Sequence, residues 1–238
     1  MNIKPRFIID CFKSAVSYIP TTLFITVSVV LIGLVFGVLI AALRTYRKPV
    51  LSHAADAYVV IFKAIPINLL IVISSMLFTT HFDSIAQFFH LNVGIRDVNR
   101  VYLGIFALSL PSIVQMSEFI RGSLLSIDEG QFEAGYTVGL SFFQTFRRIV
   151  FPQMMLVFIP SLTGIVIALM KATSLVILLG VLDVLNGALK YANISYCYFE
   201  AYLAAALVYW GLSTIIQFLG KITEKRLGKY RKETAWLK

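Results

Sequence analysis

The chain has 238 residues, of which 58% are hydrophobic and 14% charged. A soluble domain is nearer half apolar and about a quarter charged, so an ordinary soluble fold is excluded. The formal net charge of +9 would suit nucleic acid in a water-soluble protein. Here the basic residues gather at the ends of apolar runs, and no nucleic-acid partner is expected.

In chain order, residues 1–20 read as a lead-in. Basic residues spread through it to Lys13, and the apolar run behind it is long enough to span, unlike a cleaved signal peptide. IIDCFKSAVSYI has mixed helical periodicity, which fits an interfacial helix as well as a plain connector. Crossing the hydrocarbon core takes ~20 mostly apolar residues. Thr22 to Leu43, Ala57 to Thr80 and Val101 to Ile120 meet that length. A fourth run, Met154 to Leu182, contains Pro160 and Lys171, and a fifth extends from Phe199 to Leu219. The expected fold is an all-α integral membrane protein with five transmembrane helices, residues 1–238 forming one domain.

Gly33 and Gly37 form a small-xxx-small pair suited to close helix packing. Pro66, Pro111 and Pro160 are placed to kink three spans around a shared pathway. The loop from His81 to Arg100 is too short for a folded module. Cys11 and Cys197 have no metal-ligand spacing, and whether they are bridged stays open. His53, His81 and His90 share no ligand spacing either, so no metal site is expected.

Alternating the five spans sorts the basic residues. Arg44, Arg47, Lys48, Arg121, Arg147, Arg148 and seven Lys/Arg of the tail 220–238 fall on one side, thirteen of the chain's 21. Lys4, Arg6, Lys13, Arg96, Arg100 and Lys190 fall on the other, with Lys63 and Lys171 inside spans. The positive-inside rule then puts the N-terminus out and the C-terminus in. The tail KITEKRLGKYRKE reads as a topology signal and a contact for anionic lipid.

The cytoplasmic segment 121–153 is the polar exception. Asp128-Glu129-Gly130 signals a turn, a helical stretch runs from Gln131 to Val138, and Gly139 stops it in the left-handed conformation. Ser141 is placed to cap a second helix, SFFQTFRRIVF, which Pro152 interrupts. Two short helices should meet at a bend. By composition, a surface connector and a docking site fit equally well.

The spacing adds a resemblance. Glu133-Ala134-Gly135, Gly139 four residues on, then Ile149 and Pro152, resembles the E-A-A, G, I, P loop of binding-protein-dependent ABC importer permeases. SEFIRGSLLSIDEGQFEAGYTVGLSFFQTFRRIVFPQ resembles the polar amino-acid version of that loop. Lys171-Ala172-Thr173-Ser174-Leu175 is similar to the family's K-D-T-S-L, and Ile61 to Pro66 sits where the family has F-R-G-T-P. Gly135 departs from the second Ala, Lys63-Ala64-Ile65 matches its block loosely, and Ala172 lacks the acid.

The resemblance implies a type I permease fold and a coupling helix that docks on a separate ATPase. It assigns that docking to Phe132, Glu133, Ala134, Gly135, Tyr136 and Gly139. Phe132 and Tyr136 suit the role of aromatic anchors, and Ala134 and Gly135 keep one surface small. It also implies two ATP-binding subunits holding ATP and Mg, a second permease copy or related chain, and an extracytoplasmic binding protein. The setting would be a bacterial inner membrane, with the lipid bilayer as a further partner. The chain itself lacks G-x-x-x-x-G-K-[ST], since Gly220-Lys221 is followed by Ile222. Energy must come from a partner or from an ion gradient. A self-contained ion-coupled carrier is therefore the alternative, and a membrane-embedded enzyme finds no reactive set.

Ionisable residues at membrane depth default to functional readings. Glu118 and Lys171 together would match the two charges of an amino acid, with Gln115, Thr173 and Ser174 as hydrogen-bonding candidates. The bland alternative pairs Glu118 with Arg121 at i, i+3 and lets Lys171 snorkel.

Overall fold

A computed structural model describes residues 5–45 and 49–234 of the chain. These residues are helical almost throughout, with no strand among them. Five helices are long and apolar enough to cross a membrane: Ile19–Thr45, Ile67–Phe88, Arg100–Leu125, Phe142–Leu179 and Tyr198–Leu227. The expected all-α, five-span architecture is what the chain adopts. Lys4, Arg47, Lys48 and Lys238 lie outside the described residues.

Helix α1 (Pro5–Ser17) leads directly into α2 (Ile19–Thr45). Rather than lying freely on a surface, α1 buries Cys11 and Ala15 in a cluster with Val184, Ala188, Ala201 and Ala204. The Ser14 hydroxyl donates to the Gly187 carbonyl at 2.7 Å. Alanines and glycine on the partner helices allow that approach.

The second span begins later than the apolar run suggested. Helix α3 (Pro49–Ala64) stops, and α4 (Ile67–Phe88) begins after Pro66, which stands at φ −55° and ψ 134°. Proline has no N–H to give and drives the preceding residue out of the helical region. Residues 57–80 therefore straddle two helices, and Pro66 separates them instead of kinking one. Helix α4 also runs past His81, because Phe82, Ile85 and Ala86 carry on its helical spacing.

Helix α5 (Arg100–Leu125) is the hub, with 61% of its apolar window buried against 28% for α2. Its Pro111 is accommodated inside the helix, as Pro160 is in α8 (Phe151–Ala172). The glycine pair makes the α2–α5 contact possible. A methyl group at Gly33 would collide with Ser112, and one at Gly37 would lie 2.7 Å from the Met116 Cβ. Ser112 donates across the seam to the Val29 carbonyl at 3.2 Å.

The fourth span is longer than expected. Helix α7 (Phe142–Thr145), a π turn at Phe146–Val150, α8 and a 3-10 turn at Thr173–Leu179 follow one another without a break. Pro152 does not interrupt the run. It sits in the first turn of α8, where a missing N–H is tolerated, and the wider π turn lies just ahead of it. Helix α6 (Gly130–Thr137) precedes this span. Helix α9 (Val184–Ser195), unforeseen from the sequence, connects to the long α10 (Tyr198–Thr234), which continues into the basic tail.

Candidate functional site

The loop between α5 and α8 is built from local chemistry. Asp128 accepts from the Gly130 N–H at 2.7 Å and opens α6. At the other end, Leu140 N–H bonds the Gly135 carbonyl and Gly139 N–H bonds the Tyr136 carbonyl, each at 3.0 Å. Gly139 has φ +79°, so this is a Schellman ending that needs a residue free to turn left-handed. Ser141 and Gln144 then form a reciprocal cap: Ser141 N–H donates to the Gln144 side chain at 2.9 Å, and Gln144 N–H to Ser141 Oγ at 3.4 Å. The expected stop and start are both present.

Packing corrects the role of Phe132. Its ring stacks on Phe142 with centroids 5.6 Å apart and planes 10° apart, and the series continues through Phe146 at 6.4 Å and Phe151 at 6.0 Å. Phe132 thus ties α6 to the foot of the fourth span and is not a free anchor. Gln153 donates to the Gln131 side chain at 2.9 Å and closes the same joint. Gly135 is buried against Thr145. Glu133 and Ala134 stay exposed. So do Tyr136, Val138 and Phe143, at 50%, 73% and 67%. Val138 and Phe143 were missed from the sequence; their signal is a large apolar side chain beside the 139–141 turn.

The charged residues sort into two places. Arg44 pairs with Asp56 at 2.6 Å and with Glu118, and Lys63 reaches the other Glu118 oxygen at 3.3 Å. Four charges therefore join α2, α3 and α5. The partner of Glu118 is Arg44, not Arg121. Lys63 stands in the last turn of α3, where a cation also favours the helix end.

Lys171 lies elsewhere. It lines a cleft of about 420 Å³ between α8 and α10 with Ile167, Ser213, Thr214, Gln217, Phe218 and Lys221. None of Glu118, Gln115, Thr173 or Ser174 lines that cleft. Thr173 is buried and donates to the Met170 carbonyl at 2.8 Å; Ser174 donates to the Lys171 carbonyl at 2.8 Å. Gln115 is half-buried on α5.

A third polar site, at the other end of the bundle, was not read from the sequence. Asp183 is fully buried, accepts from Asn186 N–H at 2.9 Å to cap α9, and accepts from the Tyr209 hydroxyl at 2.7 Å. Burial holds its carboxyl above the ordinary carboxylate range, and those hydrogen bonds only partly offset this. Nearby, Cys11 and Cys197 are free, buried thiols. Burial raises Cys11, helped by the charges of Asp10, Cys197 and Glu200. Among the described residues no cluster has metal-ligand composition.

A five-span helical bundle with a structured helical loop at one end defines a multi-pass membrane subunit. The family of binding-protein-dependent transport system inner membrane components matches residues 33–229, and the chain belongs to it. It is a translocation subunit of an ABC importer and not an ion-coupled carrier; such subunits work with separate ATPases. An L-cystine transport system permease protein of Bacillus subtilis is 30% identical, over 92% of this chain and 90% of that one. A nopaline transport system permease protein of Agrobacterium fabrum is 31% identical, over 92% and 90%. A chain in the crystal structure of an amino acid ABC transporter with histidines shares the fold, with TM-score 0.78 and 22% identity over 95% of this chain and 100% of that one.

Proposed function

We propose that this permease carries a polar amino acid or a close derivative inward, driven by ATP and Mg held in two separate ATPase subunits. Two permease chains, identical or related, form the pathway, and an extracytoplasmic binding protein delivers the substrate. The N-terminus faces out and the C-terminus faces the cytoplasm of a bacterial cell. The substrate class is supported by relatives named for L-cystine and nopaline transport and by the loop's likeness to polar amino-acid importers.

One observation carries the coupling role: α6 and α7 form a stacked, capped L whose outer face exposes Glu133, Ala134, Tyr136 and Val138. When the ATPase pair closes, the L transmits displacement to α5 and α8, to which it is rigidly joined. Tyr136 is the aromatic anchor on that face. Glu118 holds α3 against α2 and α5; to meet a substrate ammonium it would have to leave Arg44 and Lys63.

The test is co-purification of the ATPase with parent and Tyr136→Ala permease, together with uptake in membrane vesicles. Loss of Tyr136 should weaken the complex by about 1–3 kcal/mol, as for an interface anchor. Unchanged ATPase retention and unchanged uptake would remove the docking assignment. A reporter after Lys238 and a labelling cysteine at Asn92 check the orientation separately.

A further inference from the structure

Among the described residues, the cleft between α8 and α10 is lined by two ammonium groups and no carboxylate. Among the described residues neither Lys171 nor Lys221 enters an ion pair. Ser213, which also lines the cleft, has a buried hydroxyl with no hydrogen-bond partner. Thr214 donates to the Trp210 carbonyl at 2.8 Å, which leaves its oxygen free to accept. Gln217 supplies an amide.

The helix register sets the spacing of the two lysines along the cleft. Gly220 of α10 lies directly against Thr163 of α8, and the helices run antiparallel. Lys171 is eight residues beyond Thr163, or about 12 Å further along the axis. Each Cα–Cβ bond tilts toward its own helix N-terminus. In an antiparallel pair that tilts Lys171 toward the level of Lys221 and Lys221 toward the level of Lys171. Two unpaired ammonium groups lining one cleft at membrane depth favour an anion there.

The chemistry of the occupant follows from what the cleft lacks. An amino acid would bring its own ammonium, and the cleft has no acid to receive it. A phosphate needs only donors. Its surroundings are also lipid-like: Ile167 and Phe218 flank the polar groups, and Trp210, Ile215, Phe218 and Leu219 are exposed on the same helix. Lys221 follows the end of the apolar run Phe199 to Leu219, at the depth where basic side chains meet headgroups. We propose that the α8–α10 cleft binds the headgroup phosphate of an anionic phospholipid, in the leaflet on the side of the C-terminal tail. Lys171 and Lys221 grip the phosphate, Gln217 adds a donor, and the otherwise unpartnered Ser213 hydroxyl completes the set.

Native mass spectrometry of the full transporter complex tests this, with phosphatidylglycerol or phosphatidylcholine added to the detergent solution. The parent should retain phosphatidylglycerol and not phosphatidylcholine. Lys171→Gln with Lys221→Gln should cut retained phosphatidylglycerol at least tenfold. Lys171→Arg with Lys221→Arg should keep it, separating charge loss from misfolding. Equal retention by parent and Gln variant would overturn the site. Displacement of the lipid by free cystine or glutamine would also overturn it, by making the cleft part of the transport path.

Discussion

The Cα of Gly135 lies against the side chain of Thr145, so closely that a methyl group at position 135 would collide with it. This contact joins α6 to α7 while the neighbouring Tyr136 stays exposed. It accounts for the departure at Gly135 from the E-A-A pattern, since this chain spends the space on a threonine. The Thr145 hydroxyl is itself buried without a partner. Gly135→Ala should therefore destabilise the α6–α7 joint by about 1–3 kcal/mol, the usual cost of overpacking, read as a lower Tm in detergent. Gly135→Ala with Thr145→Ala should recover most of the loss. Additive losses in that double-mutant cycle would mean that the two positions do not touch.

Gly139→Val tests the bend itself. At φ +79° a β-branched residue is strained by about 1–3 kcal/mol. The Schellman ending should open and the angle between α6 and α7 should change. ATP hydrolysis should then persist while uptake in vesicles falls, with the spans still inserted. Parental uptake by this variant would show that the angle is not used.

Arg44 and Glu118 lock the hub to its neighbours, with Asp56 and Lys63 extending the lock to α3. Glu118→Gln leaves Arg44 and Lys63 short of a countercharge. The network is partly exposed, so a loss of about 1–3 kcal/mol is expected, between the surface and buried limits. Thermal unfolding in detergent should show this as a lower Tm. Arg44→Met combined with Glu118→Met should fall less than the sum of the singles. A Glu118→Gln protein with parental Tm but raised KM for uptake would instead place Glu118 on the substrate.

Asp183 should leave a pH signature. Its native carboxyl titrates above the ordinary value because it is buried. A raised acid contributes stability that is complete below its unfolded pKa, about 3.9, and is lost as pH rises through the native value. Stability should thus decline from about pH 4 upward by the share due to this residue. Asp183→Asn should flatten that slope while still capping α9. An unchanged Tm–pH profile in the variant would assign the slope to other groups.

Much of the architecture was legible because it depends on local rules. Apolar runs of spanning length set the number of membrane helices. The stop at Gly139 and the cap at Ser141 follow from what glycine and serine do to their own backbone within about four residues. Even the Gly33 and Gly37 seam could be anticipated, because a missing side chain marks a place where another helix can approach. Tertiary packing decided the rest. Glu118 finds Arg44, 74 positions away, instead of Arg121 one turn on, because α2 docks in the register that its glycines permit. Phe132 turns inward because Phe142 is there to stack on, and Lys171 shares a cleft with Lys221 because α8 and α10 pack through Gly220 and Thr163. Such pairings depend on the rotation and offset of whole helices, which no local window of sequence contains.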